Sequence, residues 1–201
     1  MKKYNKILVI QTAFLGDVIL TTPLIKGLKE TYPAALIDVL VIPQTKDVFV
    51  HNPNVNAIVT FNKRNPLYKI LSFFAVIKTL KHIKYDVALS VQSSYTSSLI
   101  MCLSKIPERI GFNPQKLLTK SIDYKRDRLV IERYLNILTL FSDKSFSIQT
   151  DLFWQNSIES ETDLITDKID TDDKILIGIA PGSVWKTKRW PPEYYSELIR
   201  Q

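Results

Sequence analysis

The stretch Lys6-Ile-Leu-Val-Ile-Gln-Thr-Ala-Phe-Leu-Gly-Asp-Val-Ile-Leu-Thr-Thr-Pro23 limits the possible folds more than any other part of the chain. A short apolar run, Ile7 to Ile10, stops at polar Gln11 and Thr12. A turn then reaches Gly16 and Asp17, and an apolar helical pattern follows at once. This is strand, loop, helix, with one carboxylate at the helix entrance. In an open α/β sheet such a loop lies at the carboxyl end of the first parallel strand, where ligands bind. Gly16 is expected to permit a tight turn, and Asp17 to sit near the first helical turn, where the helix dipole favours the ionised form. An ionised carboxylate in a cleft can take a proton from an incoming hydroxyl. The competing role for Asp17 is a plain helix cap.

The chain beyond this point alternates strand and helix. Val18, Leu20 or Thr21, Leu24, Ile25 and Leu28 keep helical spacing, while Pro23 either bends that helix or starts a second one. Leu36 to Val41, Ala57 to Phe61, Val87 to Val91 and Arg109 to Phe112 read as strands, and Pro43 opens a short helix. A long helix is expected from about Leu67 to Lys84, with Leu67, Ile70, Leu71, Phe74, Ile77 and Leu80 as its buried stripe. Lys69, Lys78, Lys81 and Lys84 decorate the remainder, which serves either as a solvated face or as a rest against an anionic membrane. Leu99 to Leu103 and Leu129 to Phe141 read as further helices. The fold class expected is α/β with a doubly wound parallel sheet.

Two other segments carry chemistry. Gln92-Ser-Ser-Tyr-Thr-Ser-Ser98 is a hydroxyl-rich loop, also at the carboxyl end of a strand. Further on, Lys174 to Ala180 reads as a strand, Pro181-Gly-Ser183 as a turn, and Pro191 to Arg200 as a helix with proline at its start. Between turn and helix stand Lys186, Lys188 and Arg189, so backbone N–H groups and cations converge as in a phosphate site. Trp190 either belongs to that site or packs the domain edge. The chain contains neither a G-x-x-x-x-G-K-[ST] loop nor a G-x-G-x-x-G fingerprint, which argues against a nucleotide-binding oxidoreductase. The expected domains are 1–154, an acidic connector at 155–173 holding one helix, and the beginning of a second domain at 174–201.

Composition narrows the partners. At 201 residues, with 45% apolar and 23% charged residues, the chain suits a soluble globular protein with one good core. Residues 1–140 hold 20 Lys/Arg against 9 Asp/Glu, whereas residues 141–173 hold 2 against 9. The basic first part calls for an anionic partner, and no nucleic-acid recognition signature accompanies it. Cys102 is the single cysteine, expected as a buried thiol, and His51 and His82 stand too far apart in sequence to suggest a metal site. Apolar runs are too short for a signal-peptide core or a membrane span, so a cytoplasmic location is expected.

Taken in order, Gln11-Thr-x-x-x-Gly-Asp-Val-x-x-Thr-x-Pro23, the Gln92-x-Ser loop, Arg109-Ile-Gly-Phe112 and Ala180-Pro-Gly-Ser-x-Trp-x-x-Lys-x-Trp-Pro191 resemble the ADP-heptose:lipopolysaccharide heptosyltransferases, glycosyltransferase family 9. The Pro-Gly-Ser-x-Trp element is most similar to the second heptosyltransferase type. The resemblance implies a GT-B fold, here a complete N-terminal Rossmann-like acceptor domain plus only the first strand and helix of the C-terminal nucleotide-sugar domain. It implies transfer of heptose, with inversion, from ADP-L-glycero-β-D-manno-heptose to the inner core of lipopolysaccharide, without metal or cofactor. Asp17 would be the general base. Lys188, Ser183 and Gly182 would lie at the donor diphosphate, and Thr12, Gly16, Gln92 and Ser94 at the acceptor. Its partners would be the donor, a phosphorylated lipid A/inner-core acceptor and the anionic cytoplasmic face of the inner membrane, to which the protein would bind peripherally. The family's later Asn-Asp-Ser/Thr-Gly-x-x-His donor segment would lie beyond Gln201, so this chain alone is expected to be poorly active or inactive. Two other readings are a family member using another nucleotide-sugar and a non-catalytic acceptor- or membrane-binding fragment.

Overall fold

Alternation along the first strand divides the core. In β1 (Lys6–Ile10), Ile7 and Val9 point to one side of the sheet and Leu8 and Ile10 to the other, and all four are buried. The structure, a computed structural model, describes residues 2–63, 66–114, 117–154, 177–183 and 186–200, apart from the side chains of 66 and 67. The chain divides into two compact units, Met1–Gln155 and Asn156–Gln201.

The first unit is built on a six-stranded sheet. After β1 come β2 (Leu36–Val41), β3 (Ala57–Thr60), β4 (Val87–Ser90), β5 (Glu108–Phe112) and β6 (Lys120–Ile122). The order is β3-β2-β1-β4-β5-β6, and every pairing is parallel. Ile10 stands in register with Leu40 on one side and Ser90 on the other. Ile7, Val9, Ile37, Val39, Val87 and Leu89 pack with Leu24, Leu28 and Leu138, while Leu8, Ile10, Leu40 and Ala88 pack with Leu80, Ile100 and Met101. Both faces are thus covered, as a parallel sheet requires.

Pro23 resolves as a second start. Helix α1 (Leu15–Ile19) ends, and α2 (Thr22–Thr31) begins with Pro23 in its first turn, where a missing N–H removes no helical hydrogen bond. The helix opened by Pro43 is a 3-10 helix, Pro43–Val48. Helix α3 runs Pro66–Ile83, and Lys84 leaves it with φ 60°. Helix α4 is Tyr95–Leu103. The helix expected over Leu129 to Phe141 is instead α5 (Val130–Leu135) followed by 3-10 turns at Asn136–Leu140.

The stripe expected on α3 holds at two of its five described positions. Ile77 and Leu80 are buried, joined by Val76, but Ile70, Leu71 and Phe74 are 56%, 59% and 63% exposed. Leu67 lies outside the described side chains. Apolar residues occur on all sides of the first three turns, so spacing alone could not select the inward face. Cys102 is half-buried rather than buried, and His51 and His82 are on the surface.

In the second unit, residues 177–183 adopt no regular structure. The expected strand is therefore absent over 177–180, while 174–176 lie outside the described residues, as does the helix expected within 155–173. A strand needs a hydrogen-bonding neighbour, and no described residue pairs with 177–180. A 3-10 turn at Lys186–Lys188 and α6 (Pro192–Arg200) follow.

At the amino end of the sheet, Glu108 is 5% exposed and gathers Lys2, Lys120 (Nζ to Oε1, 2.7 Å) and the Tyr4 hydroxyl, which donates at 2.9 Å. Burial alone would raise its pKa, but the hydrogen bonds from Lys120, Lys2 and Tyr4 outweigh it and hold the carboxyl at about 2. Since this lies below the ordinary 4.5, ionised Glu108 stabilises the fold above about pH 4.5, and that contribution disappears as pH falls toward 2. Glu108→Gln should therefore flatten the acid limb of stability in this window, as read by urea unfolding across a pH series. Equal slopes for variant and wild type would refute the coupling. Salt should shrink the effect, because Lys2 and Lys120 are 65% and 50% exposed.

Candidate active site

The strand order reverses between β1 and β4. Chain leaving β1 goes to β2 and β3 on one side, and chain leaving β4 goes to β5 and β6 on the other. Loops that part in this way open a crevice at the carboxyl ends of the two strands. The loops concerned are those carrying Gln11, Thr12 and Asp17, and Gln92 to Ser94.

Gln11 fixes the first loop. It is 1% exposed, and its Nε2 donates to the Asp17 carbonyl (3.2 Å), Thr21 Oγ1 (3.0 Å) and the Tyr134 hydroxyl oxygen (3.3 Å). Its Oε1 accepts from the Ala13 N–H at 3.2 Å. Two N–H bonds serving three acceptors means that at least one is shared. Thr21 adds its own O–H to the Asp17 carbonyl at 2.8 Å. Thr12 ties the two loops together by donating from Oγ1 to Gln92 Oε1 at 3.3 Å, and its carbonyl accepts from Lys63 Nζ at 2.7 Å.

Asp17 is half-buried in the first turn of α1. It is not the cap, a position held by Phe14 without a side-chain hydrogen bond. Among the described residues, no hydrogen bond or ion pair engages its carboxylate, although its carbonyl is held twice. Gly16 corrects an expectation. It lies inside α1, no glycine here has a positive φ, and a Cβ at Gly16 would meet nothing within 4 Å. No tight turn requires glycine there; its effect is to leave open space beside Asp17.

Asp17 lines a cavity of about 250 Å³ with Gln92, Ser93, Ser94, Tyr124 and Tyr134. Ser94 also caps α4, its Oγ accepting from the Ser97 N–H at 3.4 Å. Both tyrosines escaped sequence reasoning, since β6 and α5 bring them in from far along the chain without a local motif. Tyr134 is buried, and its hydroxyl is pushed up to about 12, chiefly by burial and further by the Asp17 charge, against the Gln11 hydrogen bond. It therefore remains a neutral hydroxyl at neutral pH. Tyr124 is clamped edge-on by Phe112 (centroids 5.2 Å apart), with the Arg133 guanidinium 4.5 Å from its ring centre. The first unit thus brings together Thr12, Gly16, Asp17, Gln92 and Ser94. Among the described residues, no group of three or more His, Cys, Asp or Glu could hold a metal ion.

In the second unit, Arg189 folds back so that Nε donates to the Ser183 carbonyl at 2.6 Å. Lys188 is exposed at the end of the 3-10 turn, and Gly182 is exposed with no positive φ. Trp190 packs on α6, the helix that follows it, 5.5 Å from Tyr194 and 5.1 Å from Tyr195 between centroids.

The profile of glycosyltransferase family 9 (heptosyltransferase) matches residues 73–201. The chain belongs to glycosyltransferase family 9. Lipopolysaccharide heptosyltransferase 2 of Salmonella typhimurium is 29% identical over 210 residues, a match covering 98% of this chain and 60% of that protein. Lipopolysaccharide heptosyltransferase 3 of Escherichia coli is also 29% identical, over 88% of this chain and 47% of its own length. A crystal structure of a family 9 glycosyltransferase from Veillonella parvula superposes with a TM-score of 0.82 at 25% identity, covering 98% of this chain and 58% of the other. Escherichia coli ADP-heptose lps heptosyltransferase II gives 0.77 at 24% identity, covering 98% and 60%. This family 9 chain thus spans about half to three fifths of the length of these relatives, and its α/β architecture is that of the GT-B family members.

Proposed function

We propose that the chain is the acceptor-side part of an inverting heptosyltransferase that moves heptose from ADP-L-glycero-β-D-manno-heptose to the inner core of lipopolysaccharide. The observation that carries this reading is Asp17. It is half-buried, its backbone is pinned by Gln11 and Thr21, its carboxylate is unengaged among the described residues, and it lines a cavity with Gln92 and Ser94. The relatives named above supply the donor and acceptor classes: one is a lipopolysaccharide heptosyltransferase and one is named for ADP-heptose.

In this mechanism the acceptor hydroxyl gives its proton to Asp17 as its oxygen bonds to the anomeric carbon. The bond from that carbon to the phosphate oxygen breaks on the opposite face, and ADP leaves with the electron pair, so the centre inverts. Lys188 offsets charge on the departing diphosphate, with Ser183 and Gly182 beside it. Thr12, Gln92 and the space at Gly16 receive the acceptor sugar. The basic first part of the chain supports a phosphorylated glycolipid acceptor, and the reaction would then take place at the cytoplasmic face of the inner membrane.

The test is ADP release from ADP-heptose with a heptose-deficient core acceptor. The chain extended by a complete nucleotide-sugar domain should release ADP only when acceptor is present, and the 201-residue chain should release little. Release that ignores the acceptor, or that prefers another nucleotide-sugar, would overturn the reading.

A further inference from the structure

The exposed beginning of α3 is the largest departure from the sequence expectation, and it lies beside the candidate site. Tyr68, Lys69, Ile70 and Leu71 are all exposed, and consecutive helical residues point about 100° apart. The helix tip is therefore solvated on every side while carrying mostly apolar side chains. On one side, Ile70 shares a groove with Phe74 and Tyr95, which are 63% and 68% exposed. A groove of about 490 Å³ runs between α3 and α4, lined by Lys69, Ile70, Phe73, Phe74, Tyr95 and Leu99. Tyr95 directly follows Ser94, so the groove adjoins the loop that lines the Asp17 cavity.

The two helices that build this surface carry charge of one sign. No Asp or Glu occurs between Asp47 and Asp86, or between Asp86 and Glu108, a span that includes α3 and α4 entirely. Of the lysines in that span, Lys69 lines the groove, while Lys78, Lys81 and Lys84 lie toward the other end of α3. An apolar surface with aromatic side chains and cations, and without carboxylates, suits the headgroup boundary of an anionic bilayer. Among the described residues, no helix is long and apolar enough to cross a membrane, so contact through this helix would be interfacial. We infer that the α3 tip and the α3–α4 groove dock the protein on an anionic lipid bilayer, with Ile70, Leu71 and Phe74 entering the interface and Lys69 among the headgroups. The inference rests on the proposed acceptor being a membrane glycolipid and adds the surface that meets the membrane.

Sedimentation with vesicles tests it, using phosphatidylcholine alone and phosphatidylcholine mixed with phosphatidylglycerol. Wild type should co-sediment with the anionic vesicles and much less with the neutral ones, and added salt should weaken the binding. Ile70→Asp/Phe74→Asp should cut anionic-vesicle binding by at least about tenfold without lowering the melting temperature, since both side chains are exposed. Leu198→Asp/Ile199→Asp, at exposed apolar positions of the second unit, should leave binding in place. Equal binding by wild type and the α3 double variant would overturn the proposal, as would loss in the control pair alone or equal uptake by both vesicle types. So would a wild-type dimer that the α3 substitutions dissociate, or binding that vanishes once the chain is extended by a full second domain. Because sedimentation reads no chemistry, Asp17→Asn should bind vesicles normally. Failure of transfer with binding intact would count against the function alone, and normal transfer without binding would count against the docking surface alone.

Discussion

Asp17→Asn should lower kcat by about 10²–10⁴-fold in a chain extended by a complete nucleotide-sugar domain, with the acceptor KM little changed. Asparagine keeps the shape of aspartate but cannot receive the proton that the acceptor hydroxyl must lose. The structure makes this substitution unusually clean. The contacts at this residue run through its carbonyl, which accepts from Gln11 and Thr21, and its carboxylate has no partner among the described residues. Stability should therefore stay within about 0.5 kcal/mol of wild type, as for an ordinary partly exposed position. Steady-state turnover and thermal unfolding on the same preparation separate the two effects. Equal turnover of both proteins would end the general-base role, and a large drop in melting temperature would mean that Asp17 holds the fold instead.

Gln11→Ala should cost about 2–4 kcal/mol, from the lost hydrogen bonds and the void left in a buried site. For a domain of this size that is a fall of roughly 4–16 °C in melting temperature. Gln11 is almost completely buried, and its amide links Ala13, the Asp17 carbonyl, Thr21 and Tyr134. Removing it leaves the Ala13 N–H without its acceptor and frees the first turn of α1 to drift. Turnover in the extended chain should therefore fall even at temperatures where the variant is folded. Unfolding followed by circular dichroism measures the first part. A melting temperature within about 2 °C of wild type, the shift expected for roughly 1 kcal/mol or less, would show that the network is dispensable.

The fold was legible where the chain repeats a simple physical pattern. Ile7 to Ile10, Ile37 to Val41 and Val87 to Ser90 are buried on both faces and read as near-continuous apolar runs, so these three inner strands were visible, and the shorter apolar runs at Ala57–Thr60 and Glu108–Phe112 were visible too. Lys120–Ile122 was not, because a three-residue edge strand reading Lys-Ser-Ile carries no such run. On α3 the sequence showed a helix but not its inward face, since Ile70, Leu71, Phe73, Phe74, Val76 and Ile77 surround the axis. The second unit shows the same limit differently: residues 177–180 have strand-like composition but no described neighbour to pair with.

The candidate site was legible on the loops that follow β1 and β4, because turn residues and polar side chains mark the ends of apolar strands. Its far wall was not. Tyr124 reaches the cavity through a short edge strand, and Tyr134 sits on a helix whose position depends on packing against α2. Gly16 looked like turn chemistry and is helical, because a glycine can be kept for the room it leaves as well as for the angles it allows.

The strand order also has a consequence for synthesis. Strand β1 is made before the other five strands of this sheet, yet it is an inner strand, flanked by β2 and β4. At about 5–20 residues per second, Val87 follows Ile10 by roughly 4–15 s. Throughout that interval the apolar edge Ile7 to Ile10 has no partner on its β4 side, and half of the future cleft does not yet exist. Synonymous changes that slow translation between β3 and β4 should lengthen the exposure and raise the insoluble fraction.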